Sequence, residues 1–539
     1  LLAQAGGAYL QTQRGYWRGV VSQAQALPPM PDYLLAPGPV AQVHFELTPS
    51  QTQTVSVANE AYGTNSGELL LTALLLVLEK ELGRDAWVVE LEGHGRQGFE
   101  QGPAGDLNVS RTVGWFTSLY PVLLAVDAQA GLSRTVKLVK EQIRLVPDKG
   151  LGYGVLRYLS EDGAALALQP QVSFNYLGEF GQKEAAPASA LGVGLVVVDE
   201  ATPDEASVPG LSEGCFLAVS GAVVAGCLQV QVRYRSAAFT PAGITAFRQA
   251  FDAQLMTLVA HCVAQPTRAF TPSDFGNTQL SLDQFEHLAH HYPMIRDVYG
   301  LSPMQEGILF HALLDTSPSA YVNQISYRLT GQLEARRVEQ SLQLLIDRHE
   351  VLRTLFDDKT ADTPVQVVLN ERKADFRYHD LRKQTPDQQA TFVATYQEQD
   401  RQRGFILHRE VLLRLSLLQL ADNQYELIWT HHHILMDGWC AGLLLTEYTH
   451  LYAQLSQGRT PQLPPPVPYR RYIDWLGRQD VATSLAYWQH YLAGYDQPAN
   501  LPAHPNGGGS AVAGYEVGEL DFALSAPQTR GLVALAGAA

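Results

Sequence analysis

Cysteines and long apolar runs are scarce in this sequence. Its 539 residues include only 4 cysteines, and these have neither the spacing of a disulfide framework nor that of a zinc site. No CxxC or HExxH pattern is present, and no run of about 18 apolar residues marks a transmembrane helix. We therefore predict no membrane span and a reducing, cytoplasmic location.

Basic residues are also in deficit. Lys and Arg number 38 against 54 Asp and Glu, which gives a formal net charge of −16. This balance argues against nucleic acids and anionic membranes as main partners. Hydrophobic residues make up 46% of the chain, which is ordinary for a globular protein, and the length suffices for several domains. Residue 1 is Leu and no signal-peptide pattern follows it, so we expect a segment of a longer protein.

Three adjacent histidines stand out between a buried strand, expected over residues 425–430, and a helix, expected over residues 439–455. A neutral imidazole at a strand tip suits a general base or a positioning acceptor. On a strand His431 and His433 share one face while His432 points away, so at most two rings converge, and a zinc ion needs three or four ligands. Spacing alone leaves a structural, a catalytic and a metal interpretation open, and it favours the structural one.

A carboxylate follows another predicted strand, over residues 87–91. Residues 92–96 run Glu-Gly-His-Gly-Arg, and the two glycines would let a ligand approach the carboxylate closely. Glu92 is therefore a candidate base. The spacing alone favours a structural interpretation, in which Glu92 pairs with Arg96 and shapes the turn.

The order of several motifs then points to a family. Residues 432–438 (HHILMDG) resemble the HHxxxDG signature of nonribosomal peptide synthetase condensation domains. Residues 92–96, 111–117 (RTVGWFT), 150–154 (GLGYG) and 174–178 (FNYLG) resemble, in series, the C-terminal lobe of an epimerization domain of such synthetases. Taken alone, each of the last three could be a strand with a turn. The resemblance implies α/β lobes of the chloramphenicol-acetyltransferase-like kind, each a mixed sheet with packed helices.

Motifs in the second half extend the resemblance. Residues 301–311 resemble the first condensation motif in the form common where the donor residue is D-configured, and residues 348–356 and 469–475 resemble later ones. Tyr16-Trp17 recurs as Tyr487-Trp488, which indicates two copies of one large domain type. We predict an epimerization C-terminal lobe (1–265), a linker (266–297), a condensation N-terminal lobe (298–480), and a bridge leading into a truncated C-terminal lobe (481–539).

The family resemblance implies roles for individual residues. His433 would act on the substrate, and Glu92 and Tyr176 would serve the epimerization site. The family's own epimerization histidine lies in a motif that does not occur before Tyr16, and Gln97 stands where the family usually has an acidic residue. A larger group would be structural at the two sites: His432, Asp437, Gly438, Arg96 and Asn175.

The resemblance also implies the substrates and partners. We expect no directly bound cofactor and no metal, because the phosphopantetheine arm is carried by peptidyl carrier protein domains upstream and downstream, within adjacent synthetase modules. The reaction would be L-to-D epimerization of an aminoacyl or peptidyl thioester, followed by peptide-bond formation, in the biosynthesis of a secondary metabolite such as an antibiotic.

Three alternatives stay open. The chain could be a catalytically incomplete fragment that only docks carrier proteins. The two half-domains could pair so that His433 faces Glu92. A free acyltransferase using coenzyme A through an HxxxD motif is also conceivable, although the epimerization-type motifs argue against it.

Overall fold

The computed structural model describes residues 7–96, 109, 111–161, 163–180, 211, 214–277, 279–314, 319–496 and 522–538. These fall into two compact units, Leu1–Arg478 and Gln479–Ala539. The helices of eight or more residues in the first half are α1 (Ala8–Gln25), α2 (Pro49–Ala58), α3 (Ser66–Leu82), α4 (Leu132–Arg144), α5 (Leu151–Leu159) and α6 (Pro241–Val263). Those that follow are α7 (Leu282–His291), α8 (Pro303–Leu314), α9 (Ala335–Arg348), α10 (Pro386–Arg403), α11 (Gly438–Ser456), α12 (Val481–Tyr491) and α13 (Ala526–Ala538).

The described strands number thirteen. The first six are β1 (Val40–Glu46), β2 (Ala86–Gly93), β3 (Ser118–Ala125), β4 (Val172–Phe180), β5 (Leu217–Val224) and β6 (Cys227–Arg235). The other seven are β7 (Ile295–Gly300), β8 (Val322–Thr330), β9 (Thr354–Asp357), β10 (Val365–Leu369), β11 (Asp375–Asp380), β12 (Leu413–Ala421) and β13 (Gln424–His432).

The first half is built on one mixed sheet with the strand order β1-β6-β5-β4-β2-β3. Strand β4 runs parallel to both β2 and β5, and the other pairs are antiparallel. Helix α3 is apolar on almost every face and is buried over residues 67–78, which is the pattern of a helix in the centre of a core. It packs against α6, and Phe251 of α6 and Trp87 of β2 belong to the same core. This sheet places the ends of β2 and β4 side by side.

The second half carries two smaller sheets, with the orders β7-β10-β9 and β11-β12-β13-β8. Strands β12 and β13 form an antiparallel hairpin whose residues are nearly all buried. Helices α9 and α11 pack against each other beside this sheet, with Leu342 and Leu444 in the shared core. The α/β fold class that the sequence predicts, with mixed sheets and packed helices, is confirmed.

Charged contacts join α4 to Asp274 and to α7. Lys140 on α4 is fully buried, and its ammonium donates to Asp274 at 2.7 Å and to the carbonyl oxygen of Tyr62 at 2.6 Å. Further out, Lys137 on α4 donates to Glu286 on α7 at 2.9 Å. A buried charge is tolerated only when it is paired and hydrogen-bonded, so the contact between Lys140 and Asp274 fixes the segment around Asp274 against α4.

Several local predictions can be compared with the structure. Ser281 and Gln284 do form a capping box at α7, as their spacing predicts. Ser66 is an N-cap residue type directly before the apolar run 69–78, which predicts it as the cap of α3. The cap is Asn65 instead, because its side chain accepts from the N–H of Glu68. Residues 150–154 are not a strand with a turn. Gly150 precedes a helix that begins at Leu151.

No single described helix meets the length and apolarity that crossing a membrane requires. One pair of consecutive helices, Pro49–Ala61 and Ser66–Leu82, meets them only when taken together, and the pair is bent by 94°.

Candidate active sites

Glu92 lies near the end of β2, beside the parallel strand β4. The register places Leu91 opposite Phe174, so the next residues along the two strands, Glu92 and Asn175, are neighbours. The Nδ2 atom of Asn175 donates to Oε2 of Glu92 at 2.6 Å. Glu92 is exposed to the solvent of the cavity that it borders, yet the surrounding protein atoms displace enough water to raise its pKa, and the charge of Glu90 adds to the rise.

The cavity beside Glu92 has a volume of about 370 Å³. Asn175 and Tyr176 form one part of its wall, and Ser118 and Tyr120 form another. Burial raises the pKa of Tyr176, while a hydrogen bond from Ser66 acts in the opposite direction. Burial also raises the pKa of Tyr120 to about 12. Both phenols therefore stay protonated near pH 7 and can donate a hydrogen bond or a proton.

Two glycines shape this cavity. Gly95 has a φ of 60°, and a Cβ atom there would overlap the carbonyl oxygen of Phe116. Gly150 has a φ of 77°, and a Cβ atom there would overlap the ring of Tyr120. Only glycine satisfies both the conformation and the close approach at these positions.

Arg96 does not pair with Glu92. Its Nη1 atom donates to the carbonyl oxygens of Val109 at 2.9 Å and Thr112 at 2.6 Å, and its guanidinium lies 4.5 Å from the centre of the Phe116 ring. The spacing-based interpretation in which Glu92 and Arg96 form a pair is therefore wrong. Gln97 lies outside the described residues.

His433 follows directly after the last residue of β13. Its backbone N–H donates to the carbonyl oxygen of Tyr321 at 2.8 Å. Its Nδ1 atom lies 3.2 Å from Nδ2 of Asn323, the second residue of the neighbouring strand β8. The ring is half-buried, and its Nε2 makes no hydrogen bond to a described residue.

His431 and His432 are buried and neutral. Burial lowers the pKa of each to about 4. The Nδ1 atom of His432 accepts from the N–H of Ile434 at 3.2 Å, and its ring is 6.3 Å from that of Phe405. Within the described ranges, no group of three or more His, Cys, Asp and Glu side chains could hold a metal ion. The metal interpretation of the three histidines finds no support there.

A buried ion pair supports the strand that carries these histidines. Arg414 on β12 donates through Nε to Asp400 at 2.6 Å, and its guanidinium lies 4.1 Å from the centre of the Phe405 ring. Asp400 also accepts from the hydroxyl of Thr430 on β13 at 2.6 Å. Polar groups buried this deeply are stable because each has its hydrogen-bond partners.

Asp437 caps helix α11. Its carboxylate accepts from the N–H of Cys440 at 3.1 Å, which is the geometry of an N-cap. Hydrogen bonds from Cys440 lower the pKa of Asp437. Gly438 is the first residue of the helix. Asp437 thus holds the turn after His433, and its carboxylate is engaged by the helix.

The structure brings the sequence-predicted residues together in two separate groups. The described residues that line the Glu92 cavity all lie between 92 and 177. The described residues that His433 contacts across the sheet are Asn323 on β8 and Tyr321 directly before it, far along the chain from that cavity. Glu92 and His433 therefore do not share a site among the described residues, contrary to the alternative in which the two half-domains pair.

The sequence analysis missed Asn323 and Tyr321, which contact His433, and Ser118 and Tyr120, which line the Glu92 cavity. Only the pairing of strands brings these residues to the sites. Asn323 lies opposite His431, and Ser118 lies opposite Gly93. A strand register of this kind has no local signal in the sequence.

The chain is similar to parts of large peptide synthetases. It is 35% identical to bacitracin synthase 3 of Bacillus licheniformis over 456 residues, which are 84% of this chain and 7% of that protein. It is 34% identical to a linear gramicidin synthase polypeptide of Brevibacillus parabrevis over 530 residues, which are 97% of this chain and 10% of that protein. The chain thus spans a small part of the length of these relatives.

A solved structure and a family model also match. The crystal structure of the epimerization domain from the third module of tyrocidine synthetase B aligns with 49% of this chain and 58% of that domain, at 30% identity and a TM-score of 0.42. The family model described as "Condensation domain" matches residues 2–281 and again residues 295–536. The chain therefore belongs to the condensation-domain family of nonribosomal peptide synthetases.

Proposed function

We propose that this chain is a synthetase segment that epimerizes a carrier-bound thioester and then takes part in peptide-bond formation. Its parts would be an epimerization C-terminal lobe (1–265), a linker (266–297), a condensation N-terminal lobe (298–480) and a bridge into the next lobe (481–539). The observation that carries the proposal is the cavity in which Glu92, Asn175 and Tyr176 meet. The substrates would be aminoacyl or peptidyl groups on the phosphopantetheine arms of neighbouring peptidyl carrier protein domains.

Glu92 and Tyr176 supply complementary proton chemistry for the epimerization. The α-carbon of an aminoacyl thioester is acidified by the thioester. A carboxylate with a raised pKa takes that proton more readily than an ordinary one, because the proton-transfer driving force is larger. The carbon–hydrogen bond breaks, Glu92 takes the proton, and the electron pair forms an enolate. The phenol of Tyr176 then gives a proton to the α-carbon on the opposite face, and both side chains recover their starting protonation by exchange with water. Asn175 holds the carboxylate in place for this transfer.

His433 supplies the contact with the acceptor amine or the thioester in the condensation step. The amine nitrogen bonds to the donor carbonyl carbon, the carbon–sulfur bond breaks, and the amine proton ends on the leaving thiol. A half-buried, uncommitted Nε2 edge at a strand tip supports this role. Holding the two arms in register contributes as much to such a step as proton transfer does.

The test for the epimerase site is α-proton exchange. The full chain would be mixed with an aminoacyl-loaded carrier protein in deuterated water, and deuterium at the α-carbon measured by mass spectrometry. We expect exchange that Glu92→Gln reduces by about 10²-fold or more. Glu81→Gln makes the same change at an exposed position near the end of α3, and it should leave the rate unchanged. Equal rates in wild type and Glu92→Gln would refute the assignment.

A second function, carrier docking without chemistry, is favoured by one observation. Among the described residues, the Glu92 cavity is lined by one lobe alone. Binding of a loaded carrier protein with neither α-proton exchange nor amide formation would support this function over the first.

A further inference from the structure

Residues 321–323, at the start of β8, contact His433 at two places. The carbonyl oxygen of Tyr321 accepts from the backbone N–H of His433 at 2.8 Å, and Nδ2 of Asn323 lies 3.2 Å from Nδ1 of its ring. Tyr321 has a φ of 57°, a conformation that a bulky side chain rarely adopts. Backbone and side chain of His433 are thus held by the same short segment.

The contact with Asn323 determines which ring nitrogen carries the proton. A neutral imidazole has one donor nitrogen and one acceptor nitrogen. The amide nitrogen of Asn323 is a donor only, so this contact is a hydrogen bond only when Nδ1 of His433 accepts and Nε2 carries the hydrogen. The neighbouring His432 is arranged in the same way, because its Nδ1 accepts from the N–H of Ile434.

We propose that Asn323 is a positioning residue that fixes His433 in the Nε2–H tautomer and aims this N–H bond at the substrate. The inference rests on the proposed condensation function and narrows it. His433 then acts as a hydrogen-bond donor to the thioester carbonyl oxygen. That oxygen gains negative charge while the amine nitrogen bonds to the carbonyl carbon. The carbon–sulfur bond breaks and the amine proton goes to the leaving sulfur, so His433 keeps its own proton throughout.

The position of Asn323 allows the tautomer of His433 to be tested by substitution. It is an exposed residue on the strand at one edge of the sheet, so its side chain fills no core and can be changed with little effect on packing. A carboxylate at the same place can only accept. Asn323→Asp would therefore require a hydrogen on Nδ1 and would leave Nε2 as a bare acceptor. Asn323→Leu would remove the preference of the His433 ring for either tautomer.

The tautomer can be measured without any activity. The full chain would be labelled with ¹⁵N in the histidine rings, and nitrogen–hydrogen correlation spectra recorded about two pH units above the ordinary imidazole pKa, so that the rings are neutral. The His433 signals are assigned by their loss in His433→Gln. We expect Nε2–H in the wild type, Nδ1–H in Asn323→Asp and a mixture in Asn323→Leu.

Asn423→Asp is the matched control. Asn423 is an exposed residue in the turn between β12 and β13, and it is about 30 Å from His433 along the strand. It makes the same change in charge on the same sheet and should leave the His433 signals unchanged. A wild-type Nδ1–H tautomer, or an Asn323→Asp spectrum like that of the wild type, would overturn the inference.

Amide formation between two loaded carrier proteins then tests the donor role. We expect Asn323→Asp to lower this rate by about 10²-fold, the usual cost of losing one oriented donor, and Asn423→Asp to keep it. A reversed tautomer with an unchanged rate would overturn the donor role. If the wild type forms no amide, the proposed condensation function fails, and the spectra still decide whether Asn323 sets the tautomer.

Discussion

The Glu92 site and the His433 site both lie at the end of a strand, yet they support their reactive group in different ways. Glu92 borders a cavity that is open to solvent and has a raised pKa. His433 is half-buried and follows two buried, neutral imidazoles whose pKa values are lowered to about 4. In the functions proposed above, Glu92 exchanges a proton, whereas His433 depends on its orientation. This distinction can be tested.

The largest expected effect is a loss of stability in the sheet that carries His433, with no change in the sheet that carries Glu92. Asp400 is buried, and it pairs with Arg414 and accepts from Thr430. Asp400→Ala leaves Arg414 as an uncompensated buried charge, which costs about 3–5 kcal/mol. We expect faster backbone hydrogen exchange over β12 and β13, measured by mass spectrometry, and unchanged exchange over β2.

Asp362→Ala is the control for that experiment. Asp362 is an exposed residue between β9 and β10, and its loss should change exchange in neither sheet. Equal acceleration over β2 and β13 in Asp400→Ala would mean that the two sites share one cooperative unit, and the comparison between them would lose its basis.

The next effect is a difference in pH dependence between the two sites. The pKa of His432 is about 4 in the folded chain against an ordinary 6.5, so the unfolded chain takes up a proton first as the pH falls. The contribution of neutral His432 to the free energy of unfolding is therefore complete above about pH 6.5, and it is lost as the pH falls toward 4. Linkage gives a loss of about 2 kcal/mol between pH 7.5 and pH 5. The raised pKa of Glu92 has the opposite sign, because a protonated Glu92 favours the folded state as the pH falls.

Urea unfolding at about pH 7.5 and pH 5 measures this difference. His432→Gln should reduce the loss of stability on acidification by about 2 kcal/mol. His44→Gln changes an exposed histidine on β1, and it should leave the loss as it is in the wild type. The same loss in wild type and His432→Gln would show that His432 is not a buried neutral ring.

The sequence predicted the members of each site better than their contacts. Motif order singled out Glu92, Asn175 and Tyr176, and the structure places all three around one cavity. The predicted contact between Glu92 and Arg96 is wrong, because Arg96 donates to backbone carbonyl oxygens instead. Closeness in sequence does not determine which acceptors a long side chain with several donors reaches. A local sequence pattern identifies candidate residues, whereas the fold determines which of them contact one another.

The helix starts illustrate the same limit. Ser66 and Asn65 are both good N-cap residues, and only the conformation of the preceding loop decides that Asn65 is the cap of α3. Asn323 gave no sequence signal at all, because it reaches His433 through the pairing of β8 with β13. Register across a sheet is a tertiary property, and it determined the part of the His433 site that the motifs did not contain.

The smallest expected effect concerns Asp437. Its carboxylate accepts from the N–H of Cys440 and caps α11, so Asp437→Ala should cost about 1 kcal/mol of stability. Asp437→Asn keeps a capping oxygen and should retain both stability and the rate of amide formation. If Asp437 instead shared a proton with His433, both variants would lose activity while Asp437→Asn stayed as stable as the wild type. Urea midpoints and amide-formation rates for the two variants, taken together, separate a helix cap from a catalytic partner. A helix cap at Asp437 also fits the contrast between the Glu92 site and the His433 site, because it would hold the turn after His433 in place without exchanging a proton with the ring.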